Sequence, residues 1–383
     1  MNPSGIKKYR GFYTVGGLMF LSKSAAYYYS LQTQQPITWY FHNHIWDKFY
    51  STKKDNLGHA NLDLLYKKRA QQLRDSYDYL ILHYSGGADS HNVLSSFLEA
   101  DCKIDEIATF WDYEKSGEKD SYLNAEITRV VIPHIKQLHK DGHKFKFRLI
   151  DQIEMNQEPF KFVTIDHEYN MNSFISANAF SRGFYREQIQ EWKNIIASGK
   201  KLVLVWGKDK PYVFYDRAIQ KYHFSFSDQL DDAVSVYVQK NHNKGWYDEY
   251  FYWTPDNPLI IIKGCHTIKN FLRNCNIKEL YQKNYTVWGY NKFLNMYLKE
   301  KTLQKLIYPK WNTDTFSNGK IFLNNTNRKS VFTPRDITFL SSNMDIKKQY
   351  LSILKYTVNC YIKENTFKHN QIVSSKSKQY WLE

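Results

Sequence analysis

Four runs along the chain alternate with stretches of helical spacing. Residues 78–84 (Asp-Tyr-Leu-Ile-Leu-His-Tyr), 104–111 and 201–206 are short and rich in large apolar or β-branched residues, as expected of strands buried on both faces. Residues 144–150 alternate at period two, Lys-Phe-Lys-Phe-Arg-Leu-Ile, and predict a further strand. Between them, 91–98 and 171–198 carry apolar residues at helical spacing, and 118–139 reads as a helix interrupted near Pro133. A charged helix over 62–74 leads into the first strand, and 262–274 predicts another helix. Strands alternating with helices predict an α/β fold, a Rossmann-like parallel sheet with helices on both faces and right-handed crossovers. Such sheets bind ligands at the carboxyl ends of their strands, near the point where strand order reverses. Residues 85–90, 109–112 and 207–210 converge there.

The turn after the first strand reads Ser85-Gly86-Gly87-Ala88-Asp89-Ser90. Strand, glycine-rich turn and helix start form a phosphate-binding geometry. The glycines let the backbone approach an anion, the N–H groups of the helix start point at it, and Ser85 and Ser90 add hydroxyl donors. Asp89 would repel a bare phosphate, so its natural role is to hold Mg²⁺ between protein and phosphate oxygens. No Gly-Lys-Ser/Thr follows, which excludes a Walker A loop.

This Ser-Gly-Gly-x-Asp-Ser run after a hydrophobic strand resembles the pyrophosphate-binding loop of the PP-loop ATP pyrophosphatases. In motif order the chain is most similar to the synthetase domain of asparagine synthetase. The resemblance covers roughly 76–215 and implies a HUP-type domain, ATP and Mg²⁺ as cofactors, and cleavage of ATP to AMP and pyrophosphate. Gly207-Lys208-Asp209-Lys210, directly after the strand at 201–206, is similar to the second phosphate-side motif of that domain. It implies that Asp209 shares the metal with Asp89 and that Lys210 neutralises the leaving group. By position, Thr109, Trp111 and Asp112 would meet the adenine and ribose. A plain turn with exposed charges is the competing reading of 207–210, and Trp111 serves equally well as core.

The family's glutaminase half needs a cysteine after the initiator methionine. Here Asn2 stands at that position and residues 1–75 are too few for that domain, so nitrogen would come from free ammonia, another amine or a separate glutaminase. The expected organisation is an aromatic, α-rich extension over 1–75, the ATP-binding domain over 76–215, a helical continuation over 216–300 and a basic region over 301–383.

Composition narrows the classes. The chain has 383 residues, of which 42% are apolar and 17% aromatic, enough to build a core. Its four cysteines form no CxxC pair, which argues for a reducing compartment and against iron–sulfur or zinc-ribbon relatives. No apolar run approaches the ~18 residues that span a bilayer, so a cytoplasmic protein without a membrane partner is expected. The net charge is +15, and residues 301–383 hold 14 Lys and Arg against 5 Asp and Glu. That excess is either a solvated lysine-rich surface or a platform for RNA or DNA, on which Tyr308, Trp311, Phe316, Phe322 and Phe332 would stack bases.

Three functions follow. The first is an adenylating ligase that activates a carbonyl or carboxylate oxygen of an unidentified acceptor for an amine. The second is a base-modifying enzyme of the lysidine-synthetase kind acting on tRNA or DNA. The third is a non-catalytic nucleotide-binding module.

Overall fold

The computed structural model describes residues 11–20, 26, 29, 30, 32–41, 45, 46, 61–111, 124, 126–151, 188–207, 211–216, 218–228, 245–254, 256–274, 286, 287, 306–308, 310 and 375–382. Along the chain, strands β1 (Gly11–Val15), β2 (Leu18–Phe20) and β3 (Ile37–Phe41) precede helix α1 (Leu62–Ser76). Strand β4 (Tyr79–His83), helix α2 (Ala88–Glu99), β5 (Glu106–Trp111), α3 (Ile132–Lys140), β6 (Lys146–Asp151), α4 (Gln190–Ala197) and β7 (Leu202–Trp206) follow. Then come β8 (Tyr212–Asp216), β9 (Lys221–Ser225), β10 (Ser227–Asp228), β11 (Trp246–Tyr250), α5 (Leu259–Asn274), β12 (Thr286–Val287), β13 (Ser375–Ser377) and β14 (Tyr380–Leu382).

The centre is a five-stranded parallel sheet in the order β6-β5-β4-β7-β11. Numbered by appearance these strands run 3-2-1-4-5, the doubly wound order of a Rossmann-like α/β fold, with its switch point between β4 and β7. Leu80, Leu82, Val203 and Val205 face one side, where Val93, Leu94 and Phe97 of α2 and Ile135 and Leu138 of α3 cover them. Ile81, Leu202 and Leu204 face the other side, against Trp192 of α4. Helices on both faces explain why these strands read as unbroken apolar runs.

The last strand of this sheet lies beyond the expected boundary at 215. β11 pairs in parallel with β7 from Trp246↔Leu202 to Tyr250↔Trp206. Its Trp-Tyr-Asp-Glu-Tyr sequence disguises a strand, because its carboxylates are satisfied by distant partners. Asp248 Oδ1 accepts from Trp206 Nε1 at 2.6 Å, and Glu249 accepts from Tyr77 Oη at 2.7 Å and pairs with Arg69 at 2.9 Å. The first 75 residues, expected to be α-rich, contribute β1, β2 and β3 as well as α1. The helix expected over 118–139 is described from Glu126, with a π-helical turn at Ile127–Val131 before α3. Pro133 lies where the π-helical turn gives way to α3, so the change of helical register falls beside the residue that has no N–H to donate.

A mixed sheet, β10-β13-β3-β1-β2, and an antiparallel one, β12-β8-β9-β14, bring strands from early and late in the chain together. β13 runs parallel to β3, and β14 pairs with β9. Their aromatic core is dense: Phe41 stacks on Trp46 at 4.2 Å, with Trp39, Phe226, Trp253 and Tyr380 around them. One continuous apolar cluster includes Trp39, Leu94, Ile261, Tyr308 and Tyr380, residues from all four expected segments.

At the sheet's α4 face, Glu106 is fully buried. It accepts from Tyr79 Oη and Trp192 Nε1, both at 3.0 Å, and is paired with Arg148. Arg148→Met should therefore lower stability by about 3 kcal/mol by stranding a buried carboxylate. Denaturant titration checks this, and the added Glu106→Gln should recover much of the loss.

Asp105 gives a pH signature. Burial opposes its ionisation, but hydrogen bonds from Arg74, the Leu80 N–H and Lys103 prevail and hold its pKa below the usual value. The folded value being depressed, its stabilisation is complete above about pH 4, the unfolded value, and is lost as pH falls through the folded one. Asp105→Asn should flatten the acid limb of a pH–stability curve without steepening it above neutrality.

Candidate functional site

The turn between β4 and α2 lies at the switch point. Gly86 adopts φ +80°, a left-handed conformation that disfavours any side chain, and a Cβ there would lie 3.0 Å from Val131 Cγ2. Gly87 is the N-cap of α2, and the His91 N–H bonds to its carbonyl at 2.9 Å. The first N–H groups of any such helix have no acceptor within it.

Ser90 is buried and Ser85 exposed. Ser90 Oγ donates to Gly87 O at 3.1 Å and accepts from the Ser85 N–H at 3.1 Å, and the two serine hydroxyls are 3.2 Å apart. The turn is thus braced from within, with Ser85 at its outer lip. Gly207, at the end of β7, closes the crevice from the other side. A Cβ there would come within 3.1 Å of Asp89 O and of Val93 Cγ2, so only glycine lets the two walls approach this closely.

Asp89, half-buried in the first turn of α2, is held at both ends. Tyr308 Oη donates to its Oδ1 at 2.7 Å, and Tyr252 Oη donates to its backbone oxygen at 2.6 Å. Burial first, and then the Asp89 carboxylate, push the Tyr308 and Tyr252 hydroxyls well above the ordinary tyrosine range, so both remain proton donors. Tyr308 is 1% exposed, which corrects its expected place on a base-stacking surface. Trp311, Phe316, Phe322 and Phe332 lie outside the described residues.

A second carboxylate borders the turn. Glu126, just before the π-helical turn, has its Cγ 3.3 Å from the Cβ position of Gly86 and its Oε1 3.5 Å from that of Gly87. Behind the turn, His91 is buried with Nδ1 3.3 Å from Tyr84 Oη. Burial, then neighbouring His134, lower its pKa to about 4, so this imidazole is neutral at physiological pH.

At the end of β5 the Thr109 hydroxyl is buried and donates to Tyr84 O at 2.6 Å, bracing the strand ends. Trp111 packs, half-buried, against the α2 side of the core. Strand alternation places Phe110 on the opposite face, in a row of parallel rings with His83 and Trp206. His83 stacks on Trp206 at 3.8 Å and on Phe110 at 5.1 Å. This plate was readable from the period-two pattern of three neighbouring strands, whereas Glu126 and Tyr308 left no local signal.

No protein-family model and no curated protein matches the chain. Asp112, Lys208, Asp209 and Lys210 lie outside the described residues, so the shared metal cradle of Asp89 with Asp209 remains an expectation. Among the described residues, no group of three or more His, Cys, Asp or Glu surrounds a common metal position. Mg²⁺ does not require one, since it is commonly held by one or two carboxylates together with phosphate oxygens and water. A glycine turn at a helix start with one oriented carboxylate fits a phosphate-borne cation. No described helix is long and apolar enough to cross a membrane.

The two glycines of the turn should respond differently. Gly86→Ala meets both a left-handed φ and Val131, and should cost about 1–2 kcal/mol or more in thermal unfolding. In Gly87→Ala the new methyl finds only ordinary contacts, so stability should change by less than about 0.5 kcal/mol.

Proposed function

We propose that the chain binds Mg·ATP in the turn at 85–90 and adenylates an acceptor oxygen, releasing pyrophosphate, as a PP-loop enzyme of the HUP type. The observation that carries this reading is the braced Ser85–Ser90 turn. It joins the first strand of a 3-2-1-4-5 sheet to a helix start, beside Gly207 at the switch point. When bound, Mg·ATP supplies the adenylyl group, and the α–β phosphoanhydride is the bond that breaks.

In this reading the α2 N-terminus and the Ser85 hydroxyl hold phosphate oxygens, Ser90 braces the turn from behind through Gly87 O, and Asp89 meets the cation. Glu126 disfavours a bare polyphosphate beside Gly86 and Gly87 relative to a metal-bound one. The half-buried rings of Phe110 and Trp206 offer a stacking surface for the base. Asp209 and Lys210 take the second phosphate-side roles that the resemblance implies. Rate enhancement would come from positioning and electrostatic stabilisation more than from a dedicated base. An amine would then attack the activated carbon and displace AMP, its nitrogen coming from free ammonia, another amine or a separate glutaminase. The burial of Tyr308 removes one support for the alternative in which tRNA or DNA is the acceptor.

Incubation with Mg²⁺ and α-phosphate-labelled ATP, with and without total tRNA, DNA or an amino-acid pool, should yield labelled AMP with one pool and thereby name the acceptor class. Release of ADP, or no turnover with any pool, would refute adenylation. Asp89→Asn should reduce AMP formation on the order of 10²–10³-fold. If that variant kept full turnover, the metal role of Asp89 would be lost.

A further inference from the structure

Resting on the ATP reading above, we propose that Tyr308 is a positioning residue for the phosphate turn. It holds the Asp89 carboxylate in the orientation that meets the divalent cation of a bound nucleoside triphosphate. Three tyrosines, Tyr66, Tyr252 and Tyr308, form a buried cluster beside the first turn of α2, with ring centroids 5.9–6.5 Å apart. Phenylalanine would fill the same volume without the cost of burying a hydroxyl, so where each hydroxyl is directed is informative. That of Tyr308 donates to Asp89 Oδ1 at 2.7 Å, and that of Tyr252 donates to Asp89 O at 2.6 Å. The third, on Tyr66, donates to Ile307 O at 2.7 Å, fixing the backbone immediately before Tyr308. Two of the three hydroxyls thus end on Asp89, and the third anchors the segment that reaches it.

Asn92 Nδ2 lies 3.4 Å from Tyr252 Oη and ties the cluster to the next turn of the same helix. Lys310 extends the segment toward Glu99 at the far end of α2, 3.6 Å away. Packing alone accounts for the rings but not for this convergence on one residue, Tyr308 on the Asp89 carboxylate and Tyr252 on its backbone carbonyl. A carboxylate at a helix start has several rotamers, and a fixed donor on one oxygen selects among them before any ligand arrives. Residues near 308 would then complete the nucleotide site, although they lie far along the chain from the loop.

The test is calorimetric titration of the full chain with Mg·ATP, and with ATP in EDTA. It covers the wild type, Tyr308→Phe, Asp89→Asn and the double variant, with melting temperatures recorded for each. Tyr308→Phe should weaken Mg·ATP about tenfold, the scale of a hydrogen bond to a charged group. It should leave metal-free ATP unchanged and add no further loss on top of Asp89→Asn. An equal loss with and without Mg²⁺, or a full additional loss in the Asp89→Asn background, would reduce Tyr308 to packing. Wild-type binding with an unaffected Tyr308→Phe variant would overturn this proposal alone. A wild type that binds no Mg·ATP would overturn the ATP reading together with it. Should Tyr308→Phe not fold, Tyr66→Phe loosens the same segment and should give a smaller loss that again depends on Mg²⁺. Unchanged affinity there would count against the proposal.

Discussion

Direct pairing of β7 with β4, instead of with β6 before it in the chain, is the constraint from which the rest of the architecture follows. It leaves α2 and α3 on one face of the sheet and α4 on the other, and opens a crevice at the carboxyl ends of the two strands. Both turns then have to fit into that narrow space, and the fit sets residue identity. Gly86 supplies the left-handed backbone, and Gly207 supplies the missing side chain against Asp89 and Val93. The flat row of His83, Phe110 and Trp206 follows from the same pairing, since those positions fall on one face of adjacent strands.

The crevice is electrostatically unusual for so basic a chain. Asp89 and Glu126 both border its glycine turn, and the imidazole behind them is neutral. Of the basic side chains described near the sheet, Arg69, Arg74, Lys103, Lys146 and Arg148 are paired with acidic groups. Neutralisation of a polyanion would then draw on a cation carried in with it, on backbone N–H groups, and on whatever Lys208 and Lys210 contribute. Helix-start dipoles serve that purpose well, because they attract anions without carrying a mobile charge.

What the sequence disclosed, and what it hid, follow from the range of the interactions. β4 and β7 are covered on both faces, so their sequences are apolar throughout and easily read. The glycine turn is a local device, and its residues sit where a strand–turn–helix reading puts them. β11 escaped because its carboxylates are satisfied by Trp206, Arg69 and Tyr77, the last two more than 170 residues away. Tyr308 escaped for the same reason, its partner being 219 positions distant. Within β5, alternate residues belong to different faces, so Phe110 joins the row of rings with His83 and Trp206 while the Thr109 hydroxyl bonds to Tyr84 O.

The pairing of β13 with β3 and of β14 with β9 has a consequence for the order in which the molecule can form. During synthesis β3 emerges early, yet its parallel neighbour at 375–377 and the strand that closes against β9 are made more than 300 residues later. Until then the aromatic side chains of Phe41 and Trp46 lack the Tyr380 ring that packs against them. The parallel sheet can assemble once residue 250 is available, but the aromatic layer waits for nearly the whole chain. A nascent chain would carry an unfinished, sticky edge through most of its translation, a natural client for a holdase chaperone.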